Sequence, residues 1–249
     1  MRRPVPMLQV NCFNLHGIIV MKENDVDDML LKSSDFNLLK EISCGNADAF
    51  SVLLKRYLDV VSQTSFRIMC DRSGSEYVTE EVFASFWYEV QDYDDRYSLK
   101  EWLLRKTCRL CLRRIYRRKL LTVFGVESDV FVQASPKVED VYDYLTKLAW
   151  ELYCRATTHM TALQCISYAL CSLEDISVPD AAYIVTCPRF MMEKAHDSAR
   201  EKVIHELMHY RREGDYDRYL RFLKRIGESL TDHKRLISNI SVRIGIFLK

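Results

Sequence analysis

The sequence predicts an all-α protein made of two small helical domains joined by a linker, with an extension at each end. Three observations carry this. Only 7 Gly and 5 Pro occur among 249 residues, too few for the turn chemistry that strand-rich architectures need. Apolar residues recur at i, i+3 and i+4 through most of the chain, the period of an amphipathic helix. No alternating strand pattern lies upstream of residue 205.

Residues 1–34 form the N-terminal extension. Its start, MRRPVPMLQVNCFNLHGIIV, carries two arginines and an apolar character interrupted by Pro4, Pro6, Gln9, Asn11 and Asn14. That pattern fits neither a signal peptide nor a membrane span. Met21 opens a far more polar stretch and is an alternative translation start. Residues 35–121 make the first domain. Asp35 is placed to cap a helix carrying Phe36, Leu39 and Ile42. Gly45-Asn46 breaks it, and Ala49, Phe50, Leu53, Leu54, Tyr57, Val60 and Val61 line a second helix. DRSGS (71–75) reads as a turn. The next helix presents Val78, Val82, Phe83, Phe86 and Trp87 on one face, with Glu76, Glu80 and Glu81 elsewhere. QDYDDRYS (91–98) reads as a polar aromatic loop, and 99–121 as one long basic helix.

Residues 122–137 lose the helical period. Gly125, Ser128 and Ser135-Pro136 mark a linker. A second helical domain spans 138–210. The extension 211–249 is basic, helical to about residue 230, and ends in an apolar tail, ISVRIGIFLK.

The 36 Lys and Arg balance 35 Asp and Glu, so no global field draws in nucleic acid. The charge is segregated, however. An acidic stretch from Asp71 to Asp95 precedes a basic one from Lys100 to Leu120. Nine cysteines are scattered without metal-ligand spacing. Cys108 and Cys111 lie in a stripe with Leu104 and Ile115 and read as small buried hydrophobes. Unpaired thiols suit a reducing cytosol, and a cytoplasmic location is expected.

The basic helix is the strongest signal. Arg105, Arg109 and Arg113 follow at four-residue spacing, and Arg114, Arg117 and Arg118 extend the face. Like charges so placed repel one another by a few tenths of a kcal/mol per pair, which a bound anion would relieve. Tyr93, Tyr97, Trp102 and Tyr116 offer flat faces nearby, as single-stranded or melting DNA would require. The competing expectation is that these arginines pair with the acidic segment before them. Phe83, Phe86, Trp87 and Trp102 are expected in the core rather than as stacking platforms.

Two further motifs stand out. Ser177-x-x-Asp180 starts a short apolar helix, Thr186-Cys187 breaks it, and Pro188 opens a longer helix with Arg189, Lys194, His196, Arg200 and Lys202. This is the outline of a helix-turn-helix. Its end, His205-Glu206-Leu207-Met208-His209, matches H-E-x-x-H. There two histidines would hold Zn²⁺ and the glutamate would act as general base. Glu228 or His233 could supply a third ligand. Solvated histidines at a helix C-terminus are the simpler reading.

Taken in order, these pieces resemble bacterial RNA polymerase sigma factors of the extracytoplasmic-function branch. The resemblance rests on GNADAF (45–50), SEYVTEEVFASFW (75–87), EWLLRKTCRLCLRRIYRRK (101–119) and LEDISVPDAAYIVTCPRFMMEKAHDSAREKVIHEL (173–207). It implies two helical domains, the second ending in the helix-turn-helix, and a non-catalytic factor that needs no cofactor. Core RNA polymerase and promoter DNA are the implied partners, with an anti-sigma factor as a third. By position, Glu76, Glu80 and Glu81 would face the polymerase. Tyr93, Tyr97, Arg105, Arg109, Arg113, Arg114, Arg117 and Arg118 would handle the melted promoter element. Arg189, Lys194, His196 and Arg200 would face duplex DNA.

The sequence departs from the family at several points. Tyr77 stands for an Asp, Glu80 for a Gln, Arg109 for an Asn and Thr186 for the turn Gly. Glu193 stands for a Lys and would repel phosphate, and Ser198 stands for an Arg. Two rival readings follow: a degenerate sigma-like regulator that binds polymerase without selecting promoters, and a zinc metallopeptidase built on residues 205–209.

Overall fold

A computed structural model of the chain describes residues 33–93, 95–123, 141–208, 216–225 and 232–246. The N-terminal extension up to residue 32 and the linker positions 124–140 lie outside the described residues. Among the described residues the regular elements are all helical. The first five are α1 (Asp35–Ser43), α2 (Ala47–Met69), α3 (Arg72–Glu89), α4 (Leu99–Val123) and α5 (Val141–Thr158). They are followed by α6 (Ala162–Tyr168), α7 (Val178–Val185), α8 (Arg189–Met208), α9 (Tyr216–Arg225) and α10 (His233–Ile244). A 3-10 turn follows α3 at Val90–Asp92, and a π turn follows α6 at Ala169–Leu173.

Helix α1 is capped by Ser34, not Asp35. Asp35 falls in the first turn and instead accepts hydrogen bonds from Arg56 and Tyr57 of α2. The inward face is therefore Leu38 and Ile42, both buried, while Phe36 is 76% exposed. Phe36 is two residues from Leu38 and points to the far side of the helix.

The DRSGS segment is not a turn. Asp71 caps α3 by accepting from the Gly74 backbone N–H at 2.9 Å. A Cβ on Gly74 would come within 2.5 Å of the Asp71 carboxylate, so the cap depends on glycine at that position. From there Val78, Val82, Phe83 and Phe86 are buried against α2 and α4, with Trp87 half-buried beside them. Inside the α2–α3 contact, Ser65 Oγ lies 3.0 Å from Thr79 Oγ1 and donates to the Ser75 carbonyl.

Helix α4 begins at a capping box. Ser98 N–H and Oγ both donate to Glu101, and Glu101 N–H donates back to Ser98 Oγ. Its inner stripe is Leu99, Leu103, Leu104, Cys108 and Cys111. Burial pushes the Cys108 thiol up to about 12 and raises Cys111 as well. Both cysteines are packing residues, as the stripe suggested.

The core formed by α1–α4 continues without a break into Ile166, Leu170, Ala181, Ile184 and Met192 of α6 to α8. A second cluster joins Trp150, Tyr153, Tyr168 and Val203 to Tyr219, Phe222 and Leu223 of α9. The two meet at the end of α2. There Phe66 stacks on Trp150 with centroids 4.6 Å apart, and Tyr153 donates to the Arg67 carbonyl at 2.9 Å. Arg67 is itself buried, its guanidinium shared between Glu174 and the Lys224 carbonyl.

The C-terminal extension differs from expectation. Its described residues form two helices, and the apolar tail read from the sequence contains the last five residues of α10. Asp232 caps that helix, and Gly245 ends it at φ +72°. Leu236, Ile240 and Ile244, spaced by four, are buried against α3. Each such side chain contributes roughly 1.5–3 kcal/mol when fully buried.

Candidate nucleic-acid and protein interfaces

The basic helix α4 divides its cations between two environments. Lys106 pairs with Glu89, and Arg118 reaches Asp71 at 3.4 Å. Arg105 donates to the Tyr97 hydroxyl at 2.7 Å and to the Tyr183 carbonyl of α7 at 3.3 Å. Its guanidinium also lies 4.8 Å from the centre of the Tyr97 ring. Arg114 covers the Tyr77 ring at 4.6 Å. The rest of the face is different. Arg109, Arg113 and Arg117 are exposed, at successive i+4 positions, and have no ion pair or hydrogen bond among the described residues. Tyr116, beside them, is 59% exposed. The acidic segment therefore pairs with Lys106 and Arg118 but, among the described residues, not with the outer stripe of α4.

The aromatic loop is less open than its composition suggests. Tyr93 donates its hydroxyl to the Tyr97 carbonyl and its ring packs beside Trp102, with centroids 6.2 Å apart. Tyr97 lies 4.7 Å, centroid to centroid, from Tyr183. Trp102 itself meets Phe86 edge to face, in the core as expected. Of the rings singled out for stacking, Tyr116 alone stands clear of its neighbours among the described residues.

The helix-turn-helix outline corresponds to α7, a turn at Thr186-Cys187, and α8. Ser177 caps α7, accepting from Asp180 N–H at 3.3 Å. The Asp180 carboxylate accepts from Ser177 Oγ at 2.5 Å, so the side-chain half of a capping box is not made. Thr186 adopts the left-handed conformation at φ +63°. Pro188 stands one residue before α8, its carbonyl accepting from Met191 and Met192 N–H.

On α8 the predicted DNA-facing residues separate. Arg189 is exposed and paired with Glu193 at 2.8 Å, and Lys194 is exposed without a partner among the described residues. His196 turns inward, where its Nε2 lies 2.9 Å from Ser172 Oγ and burial lowers its pKa from 6.5. It is half-buried, whereas Lys194 and Arg200 on the same helix are exposed. Arg200 lies over the Tyr216 ring at 5.2 Å. Lys202 donates to the His159 carbonyl and to Gln164. The outer face of α8 carries Glu193, Asp197 and Glu201 among Arg189, Lys194 and Arg200, and so is close to neutral.

His205 is exposed at the end of α8, whereas His209 and Glu228 lie outside the described residues. His233, the alternative to Glu228 as third ligand, lies against Asp59 at 2.7 Å. Among the described residues no three His, Cys, Asp or Glu side chains gather as a metal set, and no helix is long and apolar enough to cross a membrane.

The acidic face of α3 is occupied. Glu76 pairs with Arg235, and Glu80 accepts from Asn239 at 2.6 Å and lies 3.3 Å from Arg243. Glu81 accepts from Arg243 at 2.7 Å. Sequence reasoning missed this contact. The signal was available in Arg235, Asn239 and Arg243, spaced by four beside the aliphatic stripe of α10.

No family model matches this chain. Over 81 residues it is 25% identical to the ECF RNA polymerase sigma factor SigW of Bacillus subtilis (strain 168), a match taking in 32% of this chain and 43% of that protein. The matched stretch thus spans less than half of that relative. Two solved structures share the fold. The sigma factor RpoE from Bartonella quintana, in complex with the anti-sigma factor NepR, superposes with a TM-score of 0.52 at 16% identity, over 64% of this chain and 96% of that one. CnrH in complex with the cytosolic domain of CnrY gives 0.53 at 18% identity, over 72% and 100%. The resemblance read from the motifs thus recurs in a sequence comparison and in the fold.

Proposed function

We propose that this chain is a non-catalytic sigma factor that brings core RNA polymerase to promoters and initiates transcription. Residues 35–121 would bind polymerase and the melted promoter element, and residues 138–210 would hold the more distant duplex element. The observation that carries this reading is the outer stripe of α4. Arg109, Arg113 and Arg117 have no partner among the described residues, although a neighbouring helix offers carboxylates that two other cations of α4 do use. A row of solvent-exposed guanidinium groups at about 6 Å intervals along a helix suits the phosphates of an opened strand. The likeness to SigW and to the two solved folds supports the same reading. An anti-sigma factor is a further expected partner.

The test is reconstitution. Core polymerase with this protein should yield discrete transcripts from a subset of genomic fragments that core polymerase alone does not transcribe. Absence of such transcripts from every fragment overturns the reading.

A second reading has one specific observation in its favour. The near-neutral outer face of α8, with Glu193 paired to Arg189 and His196 turned inward, suits a regulator that binds polymerase without selecting start sites. Polymerase binding with no change in transcript pattern would favour it.

A further inference from the structure

The acidic face of α3 and the C-terminal helix α10 fit each other in three ways. The first is charge. Residues 233–244 hold Lys234, Arg235 and Arg243 and no carboxylate, opposite Glu76, Glu80 and Glu81. The second is register. Arg235, Asn239 and Arg243 follow at four-residue spacing and engage those three glutamates, while Leu236, Ile240 and Ile244 form a parallel buried stripe. The third is a ring. Tyr77 lies between two guanidinium groups, Arg114 of α4 at 4.6 Å and Arg243 of α10 at 4.9 Å. Helix α10 also has its own N-cap at Asp232 and C-cap at Gly245, so it begins and ends as a unit.

We propose that the α3 face is an interface with two alternative occupants, and that α10 is the tethered, internal one. The external occupant has the chemistry α10 displays: a helical surface with an aliphatic ridge flanked by cations one turn apart. This rests on the reading above, in which Glu76, Glu80 and Glu81 face core RNA polymerase. Both occupants need the same three carboxylates, so they cannot bind together. Because α10 is part of the same chain, its effective concentration at the face is high. Polymerase must therefore displace it, and the extension sets how readily this chain loads.

The experiment compares the full-length wild type with Arg235→Glu/Arg243→Glu in binding to core polymerase. The double substitution sets two like charges against the glutamates and should release α10. Its affinity for core polymerase should rise about tenfold. A synthetic peptide of residues 232–246 added in excess should compete with the variant. Circular dichroism on both proteins checks that α1–α9 stay folded, and Val242→Glu, at a position 79% exposed, serves as a charge-change control that should bind like the wild type. Equal affinity of wild type and double variant, with no competition by the peptide, overturns the two-occupant interface and leaves the polymerase reading standing. If neither protein binds polymerase, the polymerase reading falls and this inference falls with it.

Discussion

The Tyr97 ring lies 4.7 Å from that of Tyr183, centroid to centroid, so the loop that precedes the arginine helix is closed against the first helix of the helix-turn-helix. Arg105 reinforces the closure by bonding both the Tyr97 hydroxyl and the Tyr183 carbonyl. Such ring pairs contribute about 0.5–1.5 kcal/mol beyond simple burial. Tyr183→Ala should uncover Tyr97 and raise affinity for a single-stranded promoter oligonucleotide by roughly two- to tenfold, the equivalent of that energy. Fluorescence anisotropy with labelled oligonucleotide reads it. Unchanged affinity would mean that the loop does not meet bases.

Arg113→Ala with Arg117→Ala should leave thermal stability unchanged, because neither residue has an internal partner among the described residues. Its effect should appear in salt dependence. For a single strand each lost phosphate contact flattens the slope of log K against log salt by about 0.7, so the pair should remove about 1.4. A titration of oligonucleotide binding at several salt concentrations measures this.

Thr186 is a β-branched residue held at φ +63°, where L-residues other than glycine cost roughly 1–2 kcal/mol. Thr186→Gly should relieve that strain, offset in part by the extra freedom of glycine in the unfolded chain. The net expectation is a gain of about 0.5–1 kcal/mol in urea unfolding, with the turn unchanged. A loss of stability would show that the Thr186 side chain makes a compensating contact.

Arg67 and Glu174 form a nearly buried pair joining α2 to the end of the π turn, with the Lys224 carbonyl as a further acceptor. Removing one member of such a pair leaves the other charge without compensation, at a cost of about 3–5 kcal/mol. Glu174→Ala should therefore be far more damaging than loss of a surface pair such as Arg189 with Glu193, which contributes about 0–1 kcal/mol. Chemical denaturation of the two variants compares them directly.

His196 gives a pH dependence of definite sign. Burial lowers its pKa below 6.5, so the unfolded chain binds the proton more readily than the folded one. Stability is complete above the unfolded value and falls as pH drops through about 6.5 towards the folded value. His196→Gln should flatten the decline in melting temperature between pH 7 and pH 5. An identical decline in both proteins would assign it to carboxylates elsewhere.

Much of the helical framework is legible in the sequence because the apolar residues of α2, α3 and α4 keep their spacing without interruption. Val78, Val82, Phe83 and Phe86 lie where the period puts them. The failures have local causes. DRSGS has turn composition, yet Asp71 and Gly74 together make a helix cap, a distinction that depends on one hydrogen bond. Phe36 satisfies an apolar pattern as well as Leu38 does, and only the packing of α1 on α2 chooses between them. His196 shares a helix with outward cations but is turned by Ser172, a residue 24 positions earlier. Helix α10 was obscured because Ile237, Val242 and Ile246 blur its stripe, and because its meaning lies in α3, some 160 residues away.

The contact between α10 and α3 joins two parts of one chain, so its equilibrium is unimolecular. Dilution cannot loosen it, and crowding the protein cannot tighten it. Ionic strength can in part, because these guanidinium–carboxylate pairs keep some contact with solvent and weaken as salt shortens the Debye length, whereas the Leu236–Ile240–Ile244 seam does not. In the two-occupant interface proposed above, the fraction of polymerase-free chains with the acidic face uncovered would thus be set by the medium and not by how many copies the cell makes.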